Sequence, residues 1–466
     1  VTWQRSASQW FRLPAQQLWE VISRLELWPQ WNPAVAHADL DGPLREGTSG
    51  RYSPSHRLIG PLHRRTAPAF SLTAVQDGRR LALRQPQPGG SQDIEWTLEE
   101  RDGGTVLTQR VSVAGPLAQQ FGLTAGEPLV RGFELQCARL YRLAAPPAPS
   151  ADADGRDLTV IVGGSGFLGT LLAADLACDG RRVAVLTRSA SDSPFEQITW
   201  DGAHDGEWSA RLGAEPRLRL ANLSGVSLDR PGTDENLALL TASRVEPTRA
   251  LVEASRSWDR PVEHWLQQSA VGIYGDSGDV ADESTQPPQL AGGLAAVVRA
   301  WEGAADGAAA EHRTVLRTAV VLHRDAPLMT RLTVPARIGA GGHLGTGGQW
   351  FTWIHAADWV RIARAALGLA ADPGGSGLAA LPDGVVNAAS PQPVTNRELM
   401  AHLRELVGVP VGIPAPAALV RLGAGVMRTN PALALDSVRA VPGVLNEAGF
   451  GFRYPTLAAA IKELGS

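Results

Sequence analysis

One stretch limits the possible folds of this chain more than any other. Leu158-Thr159-Val160-Ile161-Val162 is a run of β-branched and apolar residues that stops at a glycine. Gly163, Gly166 and Gly169 are each three residues apart, and an Ala/Leu-rich helical pattern follows. A buried parallel strand running through a tight turn into a helix has this pattern. Such a turn leaves backbone N–H groups unpaired at the positive end of a helix, where a pyrophosphate can sit. The expected cradle is Gly163, Gly164, Ser165, Gly166, Phe167, Leu168 and Gly169. Glycine spacing alone is weak; the strand before it and the helix after it supply the context that a dinucleotide site requires.

The next strand speaks to which dinucleotide. A helix over Leu168–Cys178 ends at Asp179-Gly180, and Arg182–Ser189 reads as a second buried strand. An acidic residue at its end would hold the adenosine ribose hydroxyls, whereas an arginine accommodates a 2′-phosphate. The residues there are Thr187, Arg188 and Ser189, with no carboxylate, so the expected cofactor is NADP(H). The plainer alternative is that Arg188 is a surface arginine.

Length and charge bound the rest. With 466 residues the chain exceeds one ordinary core, and two or three domains are expected. A net charge of −4 with no basic block gives no electrostatic support for nucleic-acid binding. No apolar run reaches membrane-spanning length, the N-terminal residues show no signal-type apolar core, and a cytoplasmic location is expected. Cys137 and Cys178 read as buried or incidental thiols. The ten histidines are scattered without ligand spacing, so no metal is expected.

Before the linker, Gln16–Leu25 has helical apolar spacing. Short alternating segments follow at Gly50–Ser53, Ala69–Val75, Arg80–Leu83, Ile94–Glu100 and Thr105–Val113, separated by turn pairs such as Asp77-Gly78. This is an antiparallel meander, closed by a helical stretch from about Glu127 to Tyr141. His56 and His63 read as solvated. Residues 146–157 are rich in Pro, Ala and Asp and make the clearest boundary.

Helix, meander and long closing helix, with Trp28-Pro29-Gln30-Trp31-Asn32-Pro33, resemble the polyketide cyclase/START-like superfamily, whose helix-grip fold implies an apolar cavity. Trp28, Trp31, Tyr52, Trp96 and Phe133 would line it, or would simply be core aromatics.

Beyond the linker, Leu218–Asn222 reads as a strand running into Leu223, Ser224 and Gly225, and a helix spans about Glu235–Ser255 with Arg244 and Thr248 on it. His264–Gly275 reads as a strand ending in the Ser269 hydroxyl and then Tyr274-Gly275, and Val315–Leu322, with Arg317, as another. The glycine motif, Asn222-Leu-Ser-Gly225, Ser269-Ala-Val-Gly-Ile-Tyr274-Gly275 and Trp353-Ile354-His355-x-x-Asp358 occur in the order found in extended short-chain dehydrogenases/reductases. Ser243-Arg244-Val245-x-x-Thr248, the Gly341–Trp350 stretch, Pro393–Glu398 and the Ala448–Leu457 tail resemble an atypical epimerase-like branch carrying a small C-terminal domain of unknown function, DUF1731. The expected architecture is therefore an α+β helix-grip domain (1–145), a linker (146–157), an α/β Rossmann domain of the extended type (158–379) and a C-terminal subdomain (380–466). The resemblance implies cofactor contacts at Asn222, Leu223, Ser224, Gly225, Ser269 and Arg317.

The chain departs from the resemblance at the chemistry. Extended members usually pair Tyr-x-x-x-Lys, the lysine lowering the tyrosine pKa. The four tyrosines here are followed four residues on by His56, Ala145, Gly278 and Ala458, and the lone lysine is Lys462. The expected positions fall near Leu294 and Val298. Remaining candidates are Ser269, Tyr274 and His355; His355 reads equally as a structural tie, with Asp358 capping the following helix. Gly339–Gly348 is either a lid whose tryptophans cover the nicotinamide or an ordinary loop. Two readings stay open: an NADP(H)-dependent oxidoreductase or epimerase-like enzyme on a small carbonyl or sugar-like substrate, and a non-catalytic NADP(H)-binding sensor with an apolar ligand in its first domain.

Overall fold

The computed structural model describes residues 2–55, 68–146, 157–289 and 292–465. His56, His63 and most of the 146–157 linker lie outside them. Among the described residues are two seven-stranded sheets of opposite construction.

The N-terminal sheet is antiparallel throughout. Its strands are β1 (Thr2–Phe11), β2 (Val35–Leu40), β3 (Ser49–Pro54), β4 (Phe70–Gln76), β5 (Arg80–Gln87), β6 (Gly90–Arg101) and β7 (Gly104–Ala114). They run in the order β1-β7-β6-β5-β4-β3-β2. In β6, Gln92, Ile94, Trp96 and Leu98 face inward while the residues between them are more open, the alternation of a sheet covered on one face. The helix Ala15–Ile22 buries Leu18, Trp19, Val21 and Ile22 in the same core. Each such side chain contributes about 1.5–3 kcal/mol on burial.

Two local expectations change. β1 and β2 have no counterpart in the sequence reading: β1 alternates polar residues on an edge and gains its order from ten pairs with β7. The expected helix from Glu127 to Tyr141 is broken, because Gly132 adopts φ 64° between the helices Glu127–Val130 and Phe133–Ala144. Trp28–Trp31 forms a single turn that carries both tryptophans into the core.

The second sheet is parallel. Its strands are β8 (Leu158–Val162), β9 (Arg182–Thr187), β10 (Glu196–Thr199), β11 (Leu218–Asn222) and β12 (Val262–Ala270). Past the two-residue strand β13 (Val280–Ala281) comes β14 (Ala310–Thr318). The short strands β15 (Val320–Leu322), β16 (Trp350–Phe351) and β17 (Trp353–His355) precede the last strand of the sheet, β18 (Gly384–Ala388). The order is β10-β9-β8-β11-β12-β14-β18, so the chain reverses its direction of spread at β8. That reversal opens a crevice at the carboxyl ends of the strands. All five residues of β8 are buried, as expected of a strand covered on both faces. The last strand of the sheet, β18, pairs in parallel with β14.

The remaining C-terminal residues pack beside the sheet. Their helix Asn396–Val407 begins with a capping box between Thr395 and Glu398: each backbone N–H is met by the other residue's side chain.

The two domains meet along the helix Phe167–Cys178. Its last residue, Cys178, belongs to the N-terminal hydrophobic core. The Arg12 guanidinium grips Asp179 at 2.6 Å, and the Arg12 backbone N–H donates to the Cys178 carbonyl at 2.8 Å. Asp179 also receives Arg364, whose other nitrogen reaches Asp175 at 2.7 Å. Farther along, Glu134 pairs with His323 at 3.1 Å, and Gly132 N–H donates to Asp325 at 2.8 Å. Among the described residues no helix is long and apolar enough to cross a membrane.

Candidate cofactor site

The glycine turn sits at the crevice. Gly163 has φ 77°, and a Cβ on it would lie 2.7 Å from the Leu223 carbonyl oxygen, so only glycine fits between β8 and the turn after β11. Gly169 lets the helix pack on the turn: a Cβ there would fall 2.4 Å from the Gly163 oxygen. The Gly166 N–H closes the turn onto the Gly163 oxygen at 2.9 Å. The helix Phe167–Cys178 has no side-chain cap, so Phe167, Leu168 and the preceding Ser165 present backbone N–H groups at its positive end. Anion binding is what such an end can do.

At the end of β9, the Thr187 hydroxyl donates to the Ser189 carbonyl at 3.0 Å and accepts the Ser189 N–H at 3.4 Å. The tightened bend leaves Arg188 exposed between them. Among the described residues Arg188 makes no ion pair.

After β11 the side chains do something different from what was expected. Asn222 is fully buried; its amide donates to Thr248 at 2.8 Å and Gln267 at 3.0 Å, and its oxygen accepts the Ser224 N–H and hydroxyl. Asn222 and Ser224 therefore shape the turn with fully engaged side chains. Leu223 and Gly225 offer backbone to the crevice.

Ser269, Arg317 and Tyr274 are brought together, but into a closed circuit. Ser269 is buried and donates to Glu302 at 2.5 Å. Arg317 grips the same carboxylate bidentately, at 2.9 Å through both Nε and Nη2. Its Nη1 donates to the Tyr274 hydroxyl at 3.1 Å. That hydroxyl has one proton, shared between the Asp282 carbonyl at 2.8 Å and Asn387 at 3.0 Å. Burial pushes the Tyr274 pKa up, against the opposing pull of Arg317. A phenol with proton and lone pair both engaged, and less acidic than usual, is poorly placed as a general acid. Burial and pairing likewise remove Arg317 from the set of free phosphate-binding groups.

His355 lies away from this circuit. Its Nδ1 accepts the Ala357 N–H at 3.2 Å, capping the helix Ala356–Ala366, and its Nε2 faces Glu463 at 3.0 Å. His355, rather than Asp358, is the cap. Asp358 is fully buried and accepts the backbone N–H groups of Arg453 and Tyr454, tying the tail to the domain. The helix Gly293–Ala304 carries buried Val298 where a lysine would stand, and Lys462 is exposed on the last helix, Leu457–Gly465. The Gly339–Gly348 stretch is stitched down: Gly342 N–H donates to Ile413, Gly345 N–H to Ala415, and Leu344 N–H to Asn396.

Two cavities among the described residues bear on these readings. One of about 350 Å³ lies beyond Tyr274, walled by Ser277, Asp279, Thr285, Pro288 and Arg439. The other, about 10 Å³, lies inside the N-terminal domain against Trp28, Tyr52, Trp96 and Gln109. Of the five aromatics expected to line an apolar cavity, Trp28, Tyr52 and Trp96 do so; Trp31 packs edge-on against Trp28 and Trp96, and Phe133 is core.

Sequence reasoning missed Glu302 and Asn387, which hold the circuit together. Glu302 is a lone carboxylate in an alanine-rich helix, and that isolation was the available signal.

Comparison with known proteins agrees with this geometry. Residues 3–145 match the family model described as polyketide cyclase / dehydrase and lipid transport. Residues 159–376 match the NAD dependent epimerase/dehydratase family, and residues 415–464 a domain of unknown function, DUF1731. The epimerase family protein SDR39U1 of Bos taurus is 30% identical over 310 residues, spanning 66% of this chain and 98% of that protein. Among solved structures, human epimerase family protein SDR39U1 (isoform 2) with NADPH superposes with a TM-score of 0.55 at 28% identity, covering 66% of this chain and 99% of that one. A nucleoside-diphosphate sugar epimerase from Corynebacterium glutamicum, 22% identical, has a TM-score of 0.58 and covers 99% of this chain and 90% of that one, a likeness of fold that spans both domains.

Proposed function

The chain belongs to the NAD-dependent epimerase/dehydratase family, and from that premise we propose that it binds NADP(H) and acts as an oxidoreductase or epimerase-like enzyme on a small carbonyl or sugar-like substrate. The observation that carries the cofactor reading is Arg188: exposed at the end of β9, without an ion-pair partner among the described residues, beside an uncapped helix N-terminus. Gly163–Gly169 would hold the diphosphate, Thr187, Arg188 and Ser189 the 2′-phosphate, and the backbone of Leu223 and Gly225 would flank the dinucleotide. A similar protein's structure with NADPH supports the same choice. Bound in this crevice, NADP(H) would supply hydride chemistry. Ser269, Glu302, Arg317 and Tyr274 stiffen the crevice wall and hold their protons within the circuit.

We read the N-terminal domain (1–145) as a helix-grip module for an apolar ligand, joined by the 146–157 linker to the Rossmann domain (158–379) and the C-terminal subdomain (380–466). A second reading, a non-catalytic NADP(H) sensor, is favoured by two observations: the Tyr274 hydroxyl is fully engaged, and no Tyr-x-x-x-Lys pair exists.

Fluorescence titration with NADPH and NADH tests the cofactor assignment. Wild type is expected to prefer NADPH, and Arg188→Glu to lose at least about tenfold in NADPH affinity while NADH changes little. Equal or tighter NADH binding by wild type would refute it. Incubation with NADPH and a panel of ketones, aldehydes and quinones separates enzyme from sensor: tight binding with no oxidation above buffer sinks the enzyme reading for that panel.

A further inference from the structure

Arg244 is a buried cation with no acid beside it. It lies on the helix Asp234–Ser257, is 6% exposed, and makes no ion pair among the described residues. Its Nη1 donates to the Leu240 carbonyl at 3.1 Å and approaches the Ser243 hydroxyl at 3.4 Å; its Nη2 donates to the Val226 carbonyl at 3.0 Å. The Trp301 ring lies 5.1 Å from its Cζ. Carbonyl dipoles and one aromatic face are its surroundings, and burial alone pulls its pKa down to about 10. Every other buried arginine described above, Arg317 and Arg364, holds a carboxylate. A desolvated charge without a counter-ion is costly unless a ligand supplies one.

One edge of this guanidinium is specific. Nε–H has no hydrogen-bond partner among the described residues, and Nη2, on the same edge, meets the Val226 carbonyl alone. That edge is the one that pairs bidentately with two oxygens of a carboxylate or phosphate. Gly225 borders it. A Cβ on Gly225 would come within 2.8 Å of the Arg244 Cζ and 3.1 Å of its Nε, and its φ of 150° is one that other residues rarely adopt. Any side chain at 225 would therefore collide with the Arg244 side chain at the carboxyl end of β11, where the crevice lies.

We propose that Arg244 and Gly225 form an oxyanion cradle that takes two oxygens of a phosphate or carboxylate group on a bound ligand. The oxyanion has two sources: the dinucleotide's own diphosphate, or an acidic group on the second substrate. The first source rests on the NADP(H) reading above; the cradle itself does not.

The test uses the full chain with Arg244→Gln, Arg244→Lys and, as an independent route, Gly225→Ala, each checked for folding by circular dichroism. NADPH affinity is read by fluorescence. Anion binding is read as the melting shift given by sodium sulfate over sodium chloride of matched ionic strength, with and without saturating NADPH. If the diphosphate is the occupant, Arg244→Gln weakens NADPH at least tenfold, and Arg244→Lys falls between the two. If the second ligand is the occupant, NADPH affinity stays at the wild-type value and the sulfate shift of the NADPH-saturated protein disappears in Arg244→Gln and Gly225→Ala. A wild type that binds no NADPH overturns the cofactor reading, and the sulfate arm on the unliganded protein then judges the cradle alone. A folded Arg244→Gln that keeps wild-type NADPH affinity and loses no sulfate shift overturns the proposal.

Discussion

Gln109 in the N-terminal core and Asn222 in the Rossmann core are both amides with no exposed surface, and they live differently. Both amide atoms of Gln109 lack a partner among the described residues, as do the indole nitrogens of Trp31 and Trp96 near it. Asn222 has every polar atom engaged, to Thr248, Gln267 and Ser224. In the N-terminal domain the unpaired ends gather beside a cavity the size of one water; in the Rossmann domain Gln268 and Trp301 also hold an unpaired atom, but Asn222 and Arg317 each close a polar circuit at a strand end. Satisfied circuits rigidify a crevice and fix where a ligand lies. Unsatisfied buried groups mark a place that is not finished until a water or ligand arrives.

Four measurements test that contrast. The largest effect is expected at Arg317: Arg317→Met leaves Glu302 beside Ser269 without its cation and should cost about 3 kcal/mol in urea unfolding. A loss below about 1 kcal/mol would mean the circuit is not the stiffening element described. Gln109→Leu should go the other way, leaving stability unchanged or raising it by about 1–3 kcal/mol, because two unpaired buried atoms are removed. A clear loss instead would show that the amide holds a water in the cavity. Tyr274→Phe deprives Arg317 and Asn387 of a shared partner and should cost about 1–2 kcal/mol. If a turnover assay is found, that variant should retain most of its rate; a hundredfold fall would restore Tyr274 as the acid.

The smallest effect concerns pH at the domain junction. Burial works against the charged form of His323, but the Glu134 carboxylate outweighs it and the histidine pKa is raised from its ordinary value of 6.5. The folded pKa thus exceeds the unfolded one. The stabilisation is fully present below about pH 6.5 and is lost as pH rises through the folded pKa. Glu134 shifts the opposite way, its pKa lowered despite burial, so its share is lost as pH falls below the ordinary value of 4.5. The melting difference between wild type and His323→Gln should therefore be larger at pH 6 than at pH 9. An equal difference at both would rule out the charged pair.

Legibility followed how local each feature was. The turn from Val162 to Gly169 could be read because strand, glycines and helix adjoin in sequence, and the Thr395/Glu398 capping box because it is complete within four residues. β1 was not readable: its order comes from β7, about a hundred residues away, and its own side chains are mostly polar. Tyr274 was read as a candidate acid from its neighbours alone. What engages it, Arg317 and Asn387, is brought there by other strands, and no spacing encodes that meeting. Arg244 stood in a recognised motif, yet its missing counter-ion is a fact of three dimensions.

The position of Cys178 has a consequence for the order in which this protein is made. A chain synthesised from its N-terminus completes its first sheet at Ala114 and the helix over it at Ala144. The core beneath them still lacks Cys178, and Arg12 still lacks Asp179. Until the first strand and helix of the Rossmann domain have emerged, the early domain presents an uncovered apolar face, the kind of surface on which nascent chains associate wrongly. Severing the chain at the linker would make that transient state permanent, so the first domain is expected to be more soluble when its piece extends past residue 180 than when it stops at the linker.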